Sequence, residues 1–287
     1  MDILYLCIME NILQYIHSEL KGIYPESEIR FIGYLLLEKL TGFSRTEILL
    51  NKNTQISCEA AKQLDGFLKK LKNHEPVQYV LGSTEFCGLT FNVNPSVLIP
   101  RPETEELVEW ICSENDRNKP LKMLDIGTGS GCIAISLKKN FPLAEVDAFD
   151  VSPEALKVAK ENAKLNRVNV NFREIDIFNS PAFSKKWDLI VSNPPYVPEK
   201  EKSEMQRNVT DYEPSLALFV PDNHPLKFYE TITNFARLNL AKGGKLYFEI
   251  HYRSGKNMLD LLSKNGFREV QLKKDLSGKD RMISGIF

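Results

Sequence analysis

Up to about residue 73 the apolar positions recur three and four apart. Ile12, Leu13, Ile16 and Leu20 share one helical face, and Ile29, Ile32, Leu35, Leu36 and Leu40 share another. The breaks between these stripes carry helix-end chemistry. Thr41-Gly42 stops a helix on glycine, Ser44-Arg45-Thr46-Glu47 has the spacing of a capping box, and Ser57 caps a helix carrying Leu64, Phe67, Leu68 and Leu71. Residues 1–75 are therefore expected to form a small all-helical domain. The charged positions between its stripes suit either a solvated face or a partner-binding surface.

From Pro76 the pattern changes to short β-prone pieces. Val77-Gln78-Tyr79-Val80 and Leu89-Thr90-Phe91-Asn92-Val93, set off by Gly82 and Gly88, make residues 76–95 a β-hairpin linker. Two prolines then straddle Arg101 and hold it extended before a helix begins at Glu103. After Pro120 strands and helices alternate, which predicts a doubly wound α/β domain over residues 96–287, with helices on both faces of the sheet. The expected strands are Lys122–Ile126, 145–149, 168–174, Trp187–Ser192 and 245–250. Helices are expected from Ser130, after Ser152-Pro153, and over 226–240. Residues 267–273 and 282–287 add an antiparallel pair at one edge, for a seven-stranded, mostly parallel sheet. Residues 197–223 form a long connection without periodicity, and loops of that length are commonly lids, so this one is expected to cover substrate.

With 287 residues, 43% of them hydrophobic, the chain has room for one large domain and one small one. Its 37 basic and 38 acidic residues leave a net charge of −1, so no global field draws it onto nucleic acid. Direct sequence-specific nucleic-acid binding is not expected. Cys7, Cys58, Cys87, Cys112 and Cys132 are odd in number and lack metal-ligand spacing, which suits free thiols in a reducing cytoplasm and no bound metal. The apolar start at residues 1–9 lacks a basic flank and is interrupted by Glu10, Asn11 and Gln14, so it reads as neither signal peptide nor membrane span. Met9 is a second candidate start.

Candidate chemistry concentrates at three strand ends. Asn193-Pro194-Pro195-Tyr196, directly after the apolar run at 187–192, suits a pocket for a planar amide or amino nitrogen. Asn193 offers a side-chain oxygen and Pro194 a carbonyl held by two successive fixed φ angles, together two acceptors for two N–H groups. Tyr196 could stack on the flat group. The alternative for this stretch is a rigid turn closing a buried strand. Gly127-Thr128-Gly129-Ser130-Gly131 follows the first strand of the alternating region and opens a helix. A dinucleotide fingerprint wants a glycine at position 132, which is Cys132, whereas G-x-G-x-G suits S-adenosylmethionine. Asp150 ends the next strand, either to bind both ribose hydroxyls or to cap the helix at Ser152-Pro153. Asp176 suits an adenine amino group with Ile177 or Phe178 on the ring, or else is a solvated loop acid. If the first and fourth strands of this region flank the crevice where strand order reverses, the glycine turn faces Asn193 to Tyr196 across it. His17, His74, His224 and His251 form no cluster.

Several of these motifs occur in a familiar order. Glu75-Pro76-Val77-Gln78-Tyr79, residues 98–105, residues 124–131, Asn193 to Tyr196, Tyr212-Glu213-Pro214-Ser215-Leu216-Ala217-Leu218 and Asp275-Leu276-Ser277-Gly278-Lys279-Asp280-Arg281 together resemble the bacterial peptide chain release factor glutamine N5-methyltransferases. The resemblance runs from about Glu75 to the end of the chain. It implies methylation of the glutamine amide in the Gly-Gly-Gln loop of class-1 release factors, with S-adenosylmethionine as donor; the protein is expected to act as a monomer in the cytoplasm. It implies that Gly127, Thr128, Gly129, Ser130, Gly131, Asp150, Asp176, Ile177 and Asn193 hold the donor. Asn193, Pro194, Pro195 and Tyr196 would hold glutamine, with Asn193, Pro194 and Tyr196 acting in catalysis. Two positions depart from the pattern: His251 stands where a glycine is usual, and Ile177 where an aromatic is common. A methyltransferase of exocyclic amino groups on nucleic-acid bases and a non-catalytic release-factor-binding protein are the alternatives.

Overall fold

The structure, a computed structural model, describes residues 8–287. The apolar opening at residues 1–7 lies outside the described residues, and with it most of the stretch read as neither signal peptide nor membrane span. Among the described residues no helix is long and apolar enough to cross a membrane. The chain divides into two compact units, one reaching to Gly82 and including Arg207–Tyr212, the other made of Ser83–Gln206 and Glu213–Phe287.

The first unit opens with α1 (Met9–Leu20), α2 (Glu26–Thr41), α3 (Arg45–Leu50), α4 (Cys58–Lys72) and α5 (Val77–Leu81). Its caps are those the sequence presents. Gly42 ends α2 at φ 73°, Ser44 and Glu47 satisfy each other's backbone N–H groups at the start of α3, and Ser57 accepts from the Ala60 N–H at α4. Ile12, Ile16, Ile32, Leu36, Leu64 and Leu68 meet in one core. The difference lies at residues 77–80, expected as strand and found as α5. Pro76 precedes the turn, Gly82 ends it at φ 75°, and Val80 is buried in the helical core. Tertiary burial thus outweighs the β-propensity of valine and tyrosine.

The hairpin is correspondingly shorter, with β1 (Ser83–Phe86) paired antiparallel to β2 (Leu89–Asn92). Cys87 and Gly88 both take positive φ, the geometry a two-residue turn needs to match strand twist. Next come α6 (Pro102–Glu114), β3 (Lys122–Ile126), α7 (Cys132–Asn140), β4 (Glu145–Asp150), α8 (Pro153–Leu165), β5 (Asn171–Glu174) and β6 (Trp187–Ser192). The chain continues through β7 (Val197–Pro198), α9 (Arg207–Thr210), β8 (Phe219–Val220), α10 (Lys227–Asn239) and β9 (Leu240–Glu249). It finishes with α11 (Gly255–Lys264), β10 (Arg268–Lys274) and β11 (Asp280–Ile286). Residues 197–223, expected as one structureless lid, instead hold the β7–β8 ribbon and α9, and α9 clusters with the helical unit.

The seven strands order as β10-β11-β9-β6-β3-β4-β5. β11 runs antiparallel to both neighbours and β10 forms the edge, so the antiparallel pair lies where the sequence places it. Successive residues face opposite cores. Met123, Leu189 and Tyr247 pack with α6 and α7, whereas Leu124, Ile190 and Phe248 pack with α10 and α11. That double burial is why the central strands read as continuous apolar runs.

Gly131, which caps α7 at φ 82°, holds α7 and α8 close together. A methyl added there would stand 2.9 Å from Ile135 Cδ1 and 3.1 Å from Ala159 Cβ. Gly131→Ala is expected to lower unfolding free energy by about 2–4 kcal/mol, strain and overpacking combined. At Gly42, also in the left-handed region but with open space around the added methyl, Gly42→Ala should cost only about 1–2 kcal/mol. Urea denaturation of the two variants checks the difference, and equal losses would remove the packing role.

Candidate active site

The glycine turn after β3 is held from below by its own backbone. Gly127 and Thr128 both donate to the Phe149 carbonyl, at 2.9 and 3.0 Å, which ties the turn to β4. Gly127 and Gly129 take φ 74° and 54°, and a Cβ built on either meets nothing within 4 Å, so that side of the turn is open. Beneath it Asp125, fully buried, accepts from Thr128 Oγ1 at 2.6 Å and from the Ala134 N–H at 3.3 Å. Burial pushes the Asp125 carboxyl up to about 7, against the pull of those two donors.

A cavity of about 360 Å³ opens over the carboxyl ends of β3, β4 and β6. Of the residues singled out from sequence, Gly127, Gly129, Asp150, Asp176, Ile177, Asn193, Pro194 and Pro195 line it. Thr128, Ser130, Gly131 and Tyr196 do not. Thr128 and Ser130 are buried beneath the turn, where the Ser130 carbonyl accepts from Asn162 Nδ2 at 2.9 Å. Thr128, Ser130 and Gly131 belong to the body of the glycine turn and not to the cavity wall.

Asp150 takes backbone donors from two turns. Oδ1 accepts from the Ser152 N–H at 2.9 Å and Oδ2 from the Gly129 N–H at 2.8 Å. The Val151 N–H also draws on it, and of the roughly four lone-pair sites of a carboxylate part is left towards the cavity. Burial raises its pKa and the backbone donors hold it back. Asp176 turns both oxygens to its own loop, towards the Phe178 N–H and Asn179 Nδ2. Phe178 and Phe228 meet at 4.9 Å beside Ile177 on the cavity wall, so aromatic surface is present although position 177 is aliphatic.

Asn193 follows β6. Its Nδ2 donates to Thr104 Oγ1 at 3.2 Å, and Thr104 donates to Glu249 Oε2 at 2.6 Å. Among the described residues no protein donor reaches Asn193 Oδ1 or the Pro194 carbonyl. Tyr196, expected to stack on substrate, gives its hydroxyl to Glu249 Oε1 at 3.0 Å. Burial raises the Glu249 carboxyl, opposed by Thr104, Tyr196 and the charge of Arg281. Glu213, with its side chain 1% exposed, accepts from Arg101 Nη2 at 2.5 Å and from the Ile99 N–H at 3.1 Å. This pair joins two stretches of cavity wall, Leu98 on one side and Pro214 and Leu216 on the other. His251 does not take positive φ, so the bend after β9 forms without glycine. The ring accepts from the Arg253 N–H, sits 3.3 Å from Glu201, and lies off the cavity wall.

Sequence reasoning gave no role to Thr104, Glu249, Phe228 or Leu98, although Leu98 and Thr104 fall in the motif at residues 98–105. Glu249 had a visible signal, an acid closing an apolar strand. Phe228 had none, because an aromatic on an amphipathic helix is ordinarily core.

A doubly wound sheet gathers a glycine turn, a strand-end acid and an Asn-Pro-Pro turn around one cavity, and comparison with known proteins makes its class a methyltransferase. Residues 104–211 match the model of the methyltransferase small domain, and residues 11–82 match the PrmC N-terminal domain. The release factor glutamine methyltransferase of Bacteroides thetaiotaomicron is 46% identical over 96% of this chain and 99% of its own. That of Flavobacterium psychrophilum is 49% identical over 92% of this chain and 94% of its own. Among solved structures, the 16S rRNA N2 G1207 methyltransferase of T. thermophilus, in complex with AdoMet and guanosine, superposes with a TM-score of 0.50 at 16% identity. That match covers 71% of this chain and 49% of the other, and it speaks to the fold alone. The chain belongs to the release factor glutamine methyltransferase family.

Asp125 gives the site a pH signature. A carboxyl raised from 3.8 to about 7 in the folded protein keeps a proton there that the unfolded chain releases. The unfolded state therefore binds fewer protons across that window, and this contribution to stability falls as pH rises through it. Asp125→Asn keeps an oxygen for Thr128 and Ala134 while removing the titration. Its Tm should fall less than that of the parent between pH 5 and pH 8 in thermal unfolding. Parallel Tm profiles would assign the pH dependence to other groups.

Proposed function

We propose that this protein transfers a methyl group from S-adenosylmethionine to the side-chain amide nitrogen of glutamine in the Gly-Gly-Gln motif of class-1 peptide chain release factors. One observation carries the proposal: Asn193 and Pro194 share a single cavity wall with Gly127, Gly129 and Asp150. The residues fit the donor. Asp150 retains acceptor capacity for ribose hydroxyls, Ile177 and Phe228 offer apolar surface for an adenine ring, and the bare backbone of Gly127 and Gly129 admits close approach. Bound there, S-adenosylmethionine supplies an electrophilic methyl group.

The protein's own contribution is to orient the nucleophile. A carboxamide nitrogen is a weak nucleophile because its lone pair is delocalised. Asn193 Oδ1 and the Pro194 carbonyl can accept its two N–H groups and thereby aim the lone pair outward. As the N–C bond formed, the donor's methyl–sulfur bond would break with its electron pair staying on the neutral thioether that leaves; the nitrogen would carry the positive charge until its proton left to solvent, so no resident base is required. Alignment of this kind is a large part of rate acceleration. Asn-Pro-Pro-Tyr also suits exocyclic amines of nucleic-acid bases, but a net charge of −1 and a full-length likeness to release factor enzymes favour the protein amide. To the helical unit, which contains the PrmC N-terminal domain match, we assign recognition of the release factor.

Mass spectrometry of a co-expressed class-1 release factor should find one added methyl on the glutamine of Gly-Gly-Gln. An unmodified glutamine beside a stable, donor-binding enzyme would overturn the proposal. Asn193→Ala should lower kcat by about 10²-fold or more with donor affinity intact. Asp150→Ala should weaken donor binding by roughly 10- to 100-fold, as measured by calorimetry. Equal effects of both variants on donor affinity would merge the two roles assigned here.

A further inference from the structure

We infer that Thr104 and Glu249 are positioning residues whose hydrogen-bond chain fixes which face of the Asn193 amide points into the cavity. The inference rests on the reading of Asn193 as the acceptor for the substrate amide, and it concerns residues that touch neither substrate nor donor.

The argument follows the polarity of each link. The Thr104 and Tyr196 hydroxyls and the charge of Arg281 favour the ionised form of Glu249 against its burial, and an ionised carboxylate only accepts hydrogen bonds. Glu249, 1% exposed at the end of β9, accepts from Tyr196 through Oε1 at 3.0 Å and from Thr104 through Oε2 at 2.6 Å. The 2.6 Å separation is that of a charge-assisted O–H···O⁻ bond. Thr104 has a single hydroxyl proton, and it is committed to Glu249. Towards Asn193 its oxygen can therefore only accept. The Asn193 group 3.2 Å away must be the NH₂, which leaves Oδ1 on the other side of the amide plane.

An asparagine side chain left to itself rotates between two faces of nearly equal shape, one presenting acceptor and the other donor. A glutamine amide in the cavity offers two N–H donors, so only the face with Oδ1 inward can receive one of them. The reversed amide would set Oδ1 against a Thr104 oxygen with no proton to give, and would meet the substrate donor with another donor. The burial of Thr104, 2% exposed on α6, keeps water from substituting for the missing proton. The chain reaches from α6 to β9 and ends at the turn after β6, so three separate elements set the orientation of one catalytic amide.

The test uses Thr104→Val, which matches threonine in shape without the hydroxyl, and Thr104→Ser, which restores the hydroxyl. With a class-1 release factor as substrate, Thr104→Val is expected to lower kcat by about tenfold or more, with donor affinity by calorimetry within about twofold of the parent. Thr104→Ser should recover most of the lost turnover. A second readout needs no activity. In ¹⁵N-labelled protein the side-chain NH₂ resonances of Asn193, assigned by their loss in Asn193→Ala, should shift in Thr104→Val and return in Thr104→Ser. The inference is overturned if Thr104→Val leaves kcat unchanged, if its loss tracks reduced donor affinity or Tm, if serine fails to rescue, or if the Asn193 resonances do not move. Absence of release-factor methylation by the parent enzyme would instead sink the proposed substrate, and the resonance test would still decide the chain.

Discussion

Ile126 and Ser192 stand opposite one another on β3 and β6, and the Ser192 hydroxyl donates to the Ile126 carbonyl at 2.6 Å. The two strands run parallel, so their carboxyl ends open on the same edge of the sheet. The glycine turn and the Asn-Pro-Pro turn therefore start about one strand spacing apart, roughly 5 Å. Slipping this pair by one residue would turn every side chain of β6 to the opposite face. Such a slip is resisted from both sides, because Leu189 and Ile190 are packed into different cores. The reach between the two halves of the site is thus set by hydrophobic packing far below the cavity.

Turns at strand tips are intrinsically mobile, and three buried carboxylates restrain them here. Asp125 fastens the glycine turn to the first turn of α7, Glu213 joins two stretches of cavity wall, and Glu249 links β9 to α6 and to the turn after β6. A buried carboxylate is costly unless its oxygens are satisfied, and removing one partner leaves a penalty of several kcal/mol. Each of the three receives at least two hydrogen bonds from backbone, hydroxyl or guanidinium donors. For Glu213 and Glu249, each of whose oxygens has a donor, that arrangement turns the desolvation cost into a preference for one loop geometry, whereas Asp125 takes both of its donors on Oδ2.

Patterning made the architecture legible because each helix and strand here buries a stripe or a face of its own. The caps at Gly42, Ser44 and Ser57, the strands β3 and β6, and the antiparallel pair at the edge all follow from period and turn chemistry. Val77 to Val80 misled because four β-prone residues say little when their burial is decided by a helical core elsewhere in the chain. At the site, Gly127, Asp150 and Asn193 could be singled out because a glycine turn, an acid and Asn-Pro-Pro each stand at a strand end of one mostly parallel sheet, although each alone also suits a turn or a cap, and the structure brings them to one cavity. The ring of Tyr196 suggested stacking on a flat group, but the partner of its hydroxyl, Glu249, lies 53 residues away and could not be read from the motif. Thr104 was illegible for the same reason. It is a helix threonine whose role exists only through Glu249, 145 residues further along the chain.

The histidines sharpen what kind of catalyst this site can be. None of His17, His74, His224 and His251 lines the cavity among the described residues. His17 and His224 pair with glutamates, and His251 is buried against Glu201 with its pKa pressed down by desolvation. A reaction that began by removing a proton would need a base within reach of the nucleophile. An amide nitrogen that first forms its bond to carbon needs none, because it becomes strongly acidic only afterwards. What such a reaction does demand is that the amide be held in one orientation while the bond forms. The polar groups behind the cavity wall suit that demand: Thr104 and Glu249 hold the Asn193 side chain from behind, and the carboxylates that do line the cavity, Asp150 and Asp176, are occupied by backbone and side-chain donors of the loops around them.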